Sequence, residues 1–155
     1  MDVYENLKEQ GITLLDPAPK GGIYSSVRQF GANMVYVSGT AANNAVQETI
    51  TGKLGDTVSI EEGQEVAKRC MVNILSNLHA ALGDLNKIKS FVKILGFVAC
   101  TNDFGEQPQV INGASQLLFD VFGEEVGLPA SSAIGVNALP WNIPVEIELL
   151  LELKA

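Results

Sequence analysis

PASSAIGVNALPWNIPVEIELLLELKA, residues 129–155, is the stretch from which the rest of the chain is read. From Val145 onward the odd positions Val145, Ile147, Leu149, Leu151 and Leu153 are apolar, while Glu146, Glu148 and Glu152 take three of the four even positions between them. Successive side chains of a strand point to opposite faces, so this alternation predicts a β-strand with one apolar and one acidic face. Leu150 interrupts the acidic row, so the second face also has apolar surface to bury. The short apolar run Ala133–Val136 predicts a further strand lying beside this one. Glu146, just past Pro144, is then expected at a sheet edge or subunit junction.

Working outward, Ile88 to Cys100 (IKSFVKILGFVAC) is a long strand, apolar on both faces at its far end as a central strand would be. Ser59 with Glu62 three residues later forms a capping box, and Gly63, Ala67, Cys70, Met71, Ile74, Leu78 and Ala81 follow as a helical stripe that Gly83 ends. Thr101–Asp103 can cap a second helix, with Val110, Ala114, Leu117, Leu118 and Val121 on one face, interrupted by Pro108 and ended by Gly123. Ile23–Phe30 and Met34–Gly39, joined by Gly31–Asn33, read as a hairpin. Asp2–Gln10 reads as a short helix, and Thr40–Thr57 as a loop containing a short strand at Val46–Ile50. The order is ββ, helix, β, helix, ββ, with no repeat or linker. That is an α+β two-layer sandwich, a mixed sheet covered by two helices, expected as a single domain over 1–155.

Composition narrows the function. Lys and Arg number 10 against 18 Asp and Glu, a formal charge of -8 that repels phosphate backbones, and no basic stripe offsets it, so no nucleic-acid partner is expected. No apolar run is long enough to span a bilayer, and the acidic start MDVYENLKEQ has no signal-peptide core, which makes the cytoplasm the default. Cys70 and Cys100 are read as buried free thiols. His79 is the one histidine, expected as a solvated or capping helix residue, so neither a zinc site nor a Ser-His-Asp triad has its ligands or base. No metal and no cofactor is expected.

Several short motifs, taken together, resemble the RidA/YjgF family, also called endoribonuclease L-PSP. They are GIY at 22–24, VSG at 37–39, DTVSIEEG at 56–63, ALGDL at 81–85, VKILGFV at 92–98, PQVINGAS at 108–115, and PASSAIGV at 129–136 followed by VEIE at 145–148. The match covers nearly the whole chain and is similar to a longer subgroup of that family. The resemblance implies a chorismate mutase-like fold, a homotrimer with ligand clefts between subunits, and a small-molecule metabolite as the partner.

The resemblance also nominates site residues. Tyr24 matches the family's pocket tyrosine, Ser38 and Gly39 its cleft-lining pair, Asn112 its pocket asparagine, and Glu146 the carboxylate associated with the hydrolytic water. Two positions depart from the family pattern. Ser131 stands where the family has an arginine, and Ala133 where Cys, Thr or Ser is usual. A serine does not reproduce a guanidinium's bidentate grip on a carboxylate, and losing such a pair costs on the order of a thousandfold in rate. If Ile23–Phe30 is a regular strand, Arg28 shares a face with Tyr24 about 13 Å along it and can approach the cleft in place of the arginine. Three functions follow from the resemblance: an imine or enamine deaminase hydrolysing C=N bonds, a non-catalytic metabolite binder or sensor, and, last, an endoribonuclease, for which charge and histidine count supply neither phosphate affinity nor an acid-base pair.

Overall fold

The computed structural model of the protein describes residues 1–44 and 46–155. A five-stranded sheet carries two long helices on one face. The strands are β1 (Val27–Phe30), β2 (Met34–Thr40), β3 (Ile88–Ala99), β4 (Ala130–Val136) and β5 (Val145–Leu153), in the spatial order β1-β2-β5-β3-β4. Only the β3–β4 pair is parallel. The helices are α1 (Val3–Glu9), α2 (Ile60–Leu82) and α3 (Gln107–Gly127). Val35, Val37, Ile94, Val98, Ile147, Leu149 and Leu151 face the helices and join one continuous core with Cys70, Met71, Ile74, Leu78, Ile111 and Leu118. This is the expected α+β layered architecture.

Helix α2 starts and stops where its sequence dictates. The Ser59 hydroxyl accepts from the Glu62 N–H at 3.1 Å, and the Glu62 carboxylate accepts from the Ser59 N–H at 2.8 Å. Gly83, at φ 77°, supplies the left-handed C-cap. Helices α2 and α3 touch at Gly113, where a Cβ would collide with the backbone carbonyl of Gln64. Both cysteines are buried and unpaired, as expected.

Several expectations need correction. The Ala133–Val136 run does not pair with the last strand. It belongs to β4, which lies parallel to β3, so β3 separates it from β5. Helix α3 joins β3 to β4, and a strand–helix–strand crossover brings parallel neighbours together. β5 is accordingly an interior strand, and Glu146 is not at a sheet edge. The first strand begins only at Val27, leaving Tyr24 in a bend before it. No strand forms at Val46–Ile50; Leu54 makes isolated bridges to Val58 and Cys100 instead. Pro108 opens α3 rather than interrupting it, Glu106 is the cap position in place of Thr101–Asp103, and the helix runs past a break at Gly123 to Gly127. Ala81 is exposed, and Leu82 takes the buried position.

Among the described residues no helix covers the sheet's other face. One row across it is fixed by register: Arg28 opposite Tyr36, Tyr36 opposite Leu150, Leu150 opposite Lys93, and Lys93 opposite Ala130. Phe30, Tyr36 and Ile134 are exposed on this face, and Leu95, Phe97 and Leu150 are half-buried. Among the described residues no helix is long and apolar enough to cross a membrane.

Candidate functional site

An open cleft of about 820 Å³ lies where β2 parts from β5. The parting is a β-bulge: Val37 opposes Leu149 and Thr40 opposes Ile147, so three steps on β2 match two on β5. Bulges disrupt the ladder locally and re-aim side chains. Here Ser38 and Gly39 occupy the irregular steps, and the carboxyl of Glu146 rests on Gly39. A Cβ at Gly39 would stand 3.0 Å from Glu146 Cδ and 3.2 and 3.3 Å from its two oxygens. The absence of a side chain at 39 therefore sets where that carboxyl sits.

Ser38 is fixed by the chain preceding β1. Its hydroxyl donates to the Ser25 carbonyl at 2.6 Å, and its N–H donates to the Ser26 carbonyl at 3.0 Å. With its proton committed, the Ser38 oxygen is available to the cleft as an acceptor. Asn73, a polar residue within the buried stripe of α2, donates to the carbonyls of Ala41 at 2.8 Å and Asn43 at 3.0 Å, holding the chain beyond β2 against the helix. Tyr24, the 16–21 strap and Trp141 complete the lining.

Trp141 and Asn142 carry positive φ, 55° and 58°, a conformation that residues with a Cβ adopt at a cost of about 1 kcal/mol or more each. They are held by Gly52, whose N–H donates to the Asn142 carbonyl at 2.9 Å. The indole lies on Gly21, where a Cβ would come within 2.6 Å of its ring.

Electrostatically the cleft centres on Glu146. Partial burial, and next the charge of Glu148, push its carboxyl above the ordinary carboxylate range. Glu148 itself accepts a 2.6 Å hydrogen bond from the Tyr36 hydroxyl, and that bond, with burial and the Glu148 charge behind it, raises the tyrosine's pKa. Beneath, the Cys70 thiol is held protonated by complete burial and, secondarily, by the charge of Glu146. A carboxyl raised in this way is a stronger base than an ordinary solvated carboxylate.

The structure thus brings Tyr24, Ser38, Gly39 and Glu146 together in one cleft. It does not bring the other nominated residues there within a single chain. Arg28 lies in β1 on the open sheet face opposite Tyr36, because the strand starts too late to align it with Tyr24. Asn112 lies on α3 in a shallow groove with Gln64, Lys68 and Gln116. Ser131 and Ala133 lie on β4 at the far edge of the sheet, paired with Ile94 and Gly96. His79 is exposed on α2, as expected of a solvated helix residue, and its Nδ1 shares a 2.9 Å hydrogen bond with the Tyr4 hydroxyl, tying α1 to α2. Among the described residues no three His, Cys, Asp or Glu side chains converge to hold a metal ion. The sequence reading missed Lys20, Asn73 and Trp141. A lone asparagine inside a buried helical stripe was the available signal for Asn73; nothing in the sequence marks Trp141 for a left-handed turn.

The model of the family described as Endoribonuclease L-PSP matches residues 16–152. Protein TCP17 of Trypanosoma cruzi is 42% identical over 152 residues, 98% of this chain and 94% of that protein. A 2-iminobutanoate/2-iminopropanoate deaminase of Dermatophagoides farinae is 31% identical over 143 residues, 92% of this chain and 94% of its own. A crystal structure of an Agrobacterium tumefaciens protein of unknown function superposes with a TM-score of 0.87 at 39% identity, covering 99% of this chain and 92% of that one. The motifs spread along the sequence, the two-layer fold and these matches agree: the chain belongs to the endoribonuclease L-PSP family, the RidA/YjgF family.

Proposed function

We propose that this protein is a cytoplasmic imine or enamine deaminase-type hydrolase, a single domain over 1–155 working as a homotrimer, with Glu146 as its acid-base group. The observation that carries this reading is the seating of the Glu146 carboxyl on Gly39 at the bulge, beside Ser38 and Tyr24, with its pKa raised by burial and by Glu148. In the reaction a water oxygen bonds to the imine carbon as the C=N π pair moves to nitrogen. Glu146 relays one water proton to that nitrogen, giving a carbinolamine; it then takes the carbinol O–H proton and passes it to the nitrogen as the O–H pair becomes the C=O π bond and the C–N bond breaks, so ammonia leaves and a ketone remains. Ser38, its own proton held by Ser25, accepts from the substrate's N–H or from the attacking water. The relative of Dermatophagoides farinae named for this activity supports the reaction class.

Self-association is supported by the open sheet face. Phe30, Tyr36 and Ile134 lie exposed there, an apolar patch of the kind that marks protein interfaces. In a trimer with clefts between subunits, Asn112, Ser131 and Ala133 would reach a cleft from a neighbouring copy, which is how they enter this proposal.

A non-catalytic metabolite binder is the second reading, and Ser131 favours it, because the family's guanidinium is absent from that position. The test generates 2-aminoacrylate with a dehydratase and follows pyruvate formation for the parent and for Ser131→Arg. Parent activity above the spontaneous rate supports the enzyme; activity confined to Ser131→Arg supports a binder whose anchor has been lost.

A further inference from the structure

We propose that Lys20 is the anion anchor of this cleft, and that the ligand it selects is a small molecule carrying a carboxylate next to a short apolar body. The assignment rests on the cleft reading above and names what the cleft recognises. Among the described residues lining the cleft, Lys20 is the one cation. Its ammonium donates to the Tyr24 carbonyl at 2.7 Å and lies 6.0 Å from the centroid of the Tyr24 ring. An ammonium has three N–H donors, so this bond leaves two for an oxyanion, as many as a carboxylate has oxygens to receive them. No carboxylate lies within ion-pair distance of it among the described residues, although acids outnumber bases 18 to 10 in this chain. Asp16 lines the same strap without pairing to it.

The surroundings set the orientation. Gly21 follows Lys20 directly and holds the Trp141 indole at a separation no side chain would permit, which fixes the strap against the aromatic wall. Tyr24 and Trp141 then offer apolar surface to the body of the ligand. In the same cleft Ser38 and Glu146 present acceptors. An anionic end is repelled by Glu146 and attracted by Lys20, whereas an N–H-bearing end has its acceptors at Ser38 and Glu146. The carboxylate therefore lies at Lys20 and the nitrogen-bearing carbon toward Glu146.

Trp141, the chain's single tryptophan, lines the cleft and makes binding visible in its fluorescence. The test titrates the parent, Lys20→Met and Lys20→Arg with pyruvate, methyl pyruvate and inorganic phosphate, by fluorescence and by isothermal calorimetry. Lys20 is exposed, so neither substitution touches the core. Pyruvate should bind the parent, about tenfold more weakly to Lys20→Met, as expected for one partly solvated charge-assisted pair, and nearly normally to Lys20→Arg. In turnover, Lys20→Met should raise KM and leave kcat within about twofold, the pattern of lost uniform binding. Equal pyruvate affinity in Lys20→Met, equal affinity for the uncharged ester, phosphate matching pyruvate, or no calorimetric binding of pyruvate would each overturn the assignment. Pyruvate binding through Lys20 without imine turnover would sink the catalytic reading and leave the anchor standing. Turnover with an unchanged KM in Lys20→Met would do the reverse.

Discussion

A methyl group added at position 39 would first meet the carboxyl of Glu146. In Gly39→Ala the new Cβ would stand 3.0 Å from Cδ and 3.2 and 3.3 Å from the oxygens, several tenths of an ångström inside the roughly 3.5–4.0 Å of comfortable non-bonded contact. Gly39 is not among the glycines with positive φ, so its backbone accepts alanine without strain. The carboxyl is half-buried and can swing aside, and a displacement of about 0.5 Å relieves the contact. For stability, the stiffer unfolded chain contributes about 0.4–1 kcal/mol in favour, and mild overpacking opposes it by about 1 kcal/mol. The melting temperature should therefore stay within about 4 °C of the parent. Rate is the sensitive quantity. A 1 Å misplacement can cost about a hundredfold, so half of that should lower kcat about tenfold. The assay pairs a thermal melt with imine hydrolysis on the same preparation. A rate within twofold of the parent, with the melt unchanged, refutes the placement of Glu146 in the chemistry; a melt lowered by about 10 °C or more makes Gly39 a packing residue instead.

Two further predictions concern stability. A carboxyl whose folded pKa lies above its unfolded value disfavours folding once pH exceeds the unfolded value, about 4.3 for glutamate, and increasingly so up through the folded pKa. Glu146→Gln should therefore melt higher than the parent at pH 7 to 8, with the difference vanishing near pH 4; a difference that grows toward acid would show the shift to have the opposite sign. Gly113→Ala should destabilise by about 2–3 kcal/mol, because the added Cβ meets the Gln64 carbonyl and the α2–α3 approach must widen. Chemical denaturation measures this, and a neutral or stabilising result, as helix propensity alone would give, contradicts that packing.

The parts of the fold that could be read in advance are those written in local pattern. The alternation from Val145 to Leu153 appears as β5, and the Ser59–Glu62 pair appears as the α2 cap with both of its hydrogen bonds. What could not be read depends on which segments meet. β4 precedes β5 by so few residues that proximity in sequence points to pairing between them, yet the α3 crossover ties β4 to β3. The bulge at Ser38–Gly39 exists only as a mismatch between two strands' step counts, so neither strand's sequence announces it. Of the residues lining the cleft, Tyr24, Ser38, Gly39 and Glu146 are nominated by motifs, while Lys20 lies in a loop whose prolines and glycines say only that it is irregular. Arg28 was misplaced because strand parity was extended four residues beyond where the strand begins.

The most direct test of the account is the rate at which chemically generated 2-iminopropanoate decays to pyruvate and ammonia with parent protein, with Glu146→Gln and with no protein. The account predicts clear acceleration by the parent and, from a folded Glu146→Gln, a loss of about a hundredfold or more, the usual contribution of a positioned acid-base group. Equal decay in all three, or equal acceleration by both proteins, would contradict it.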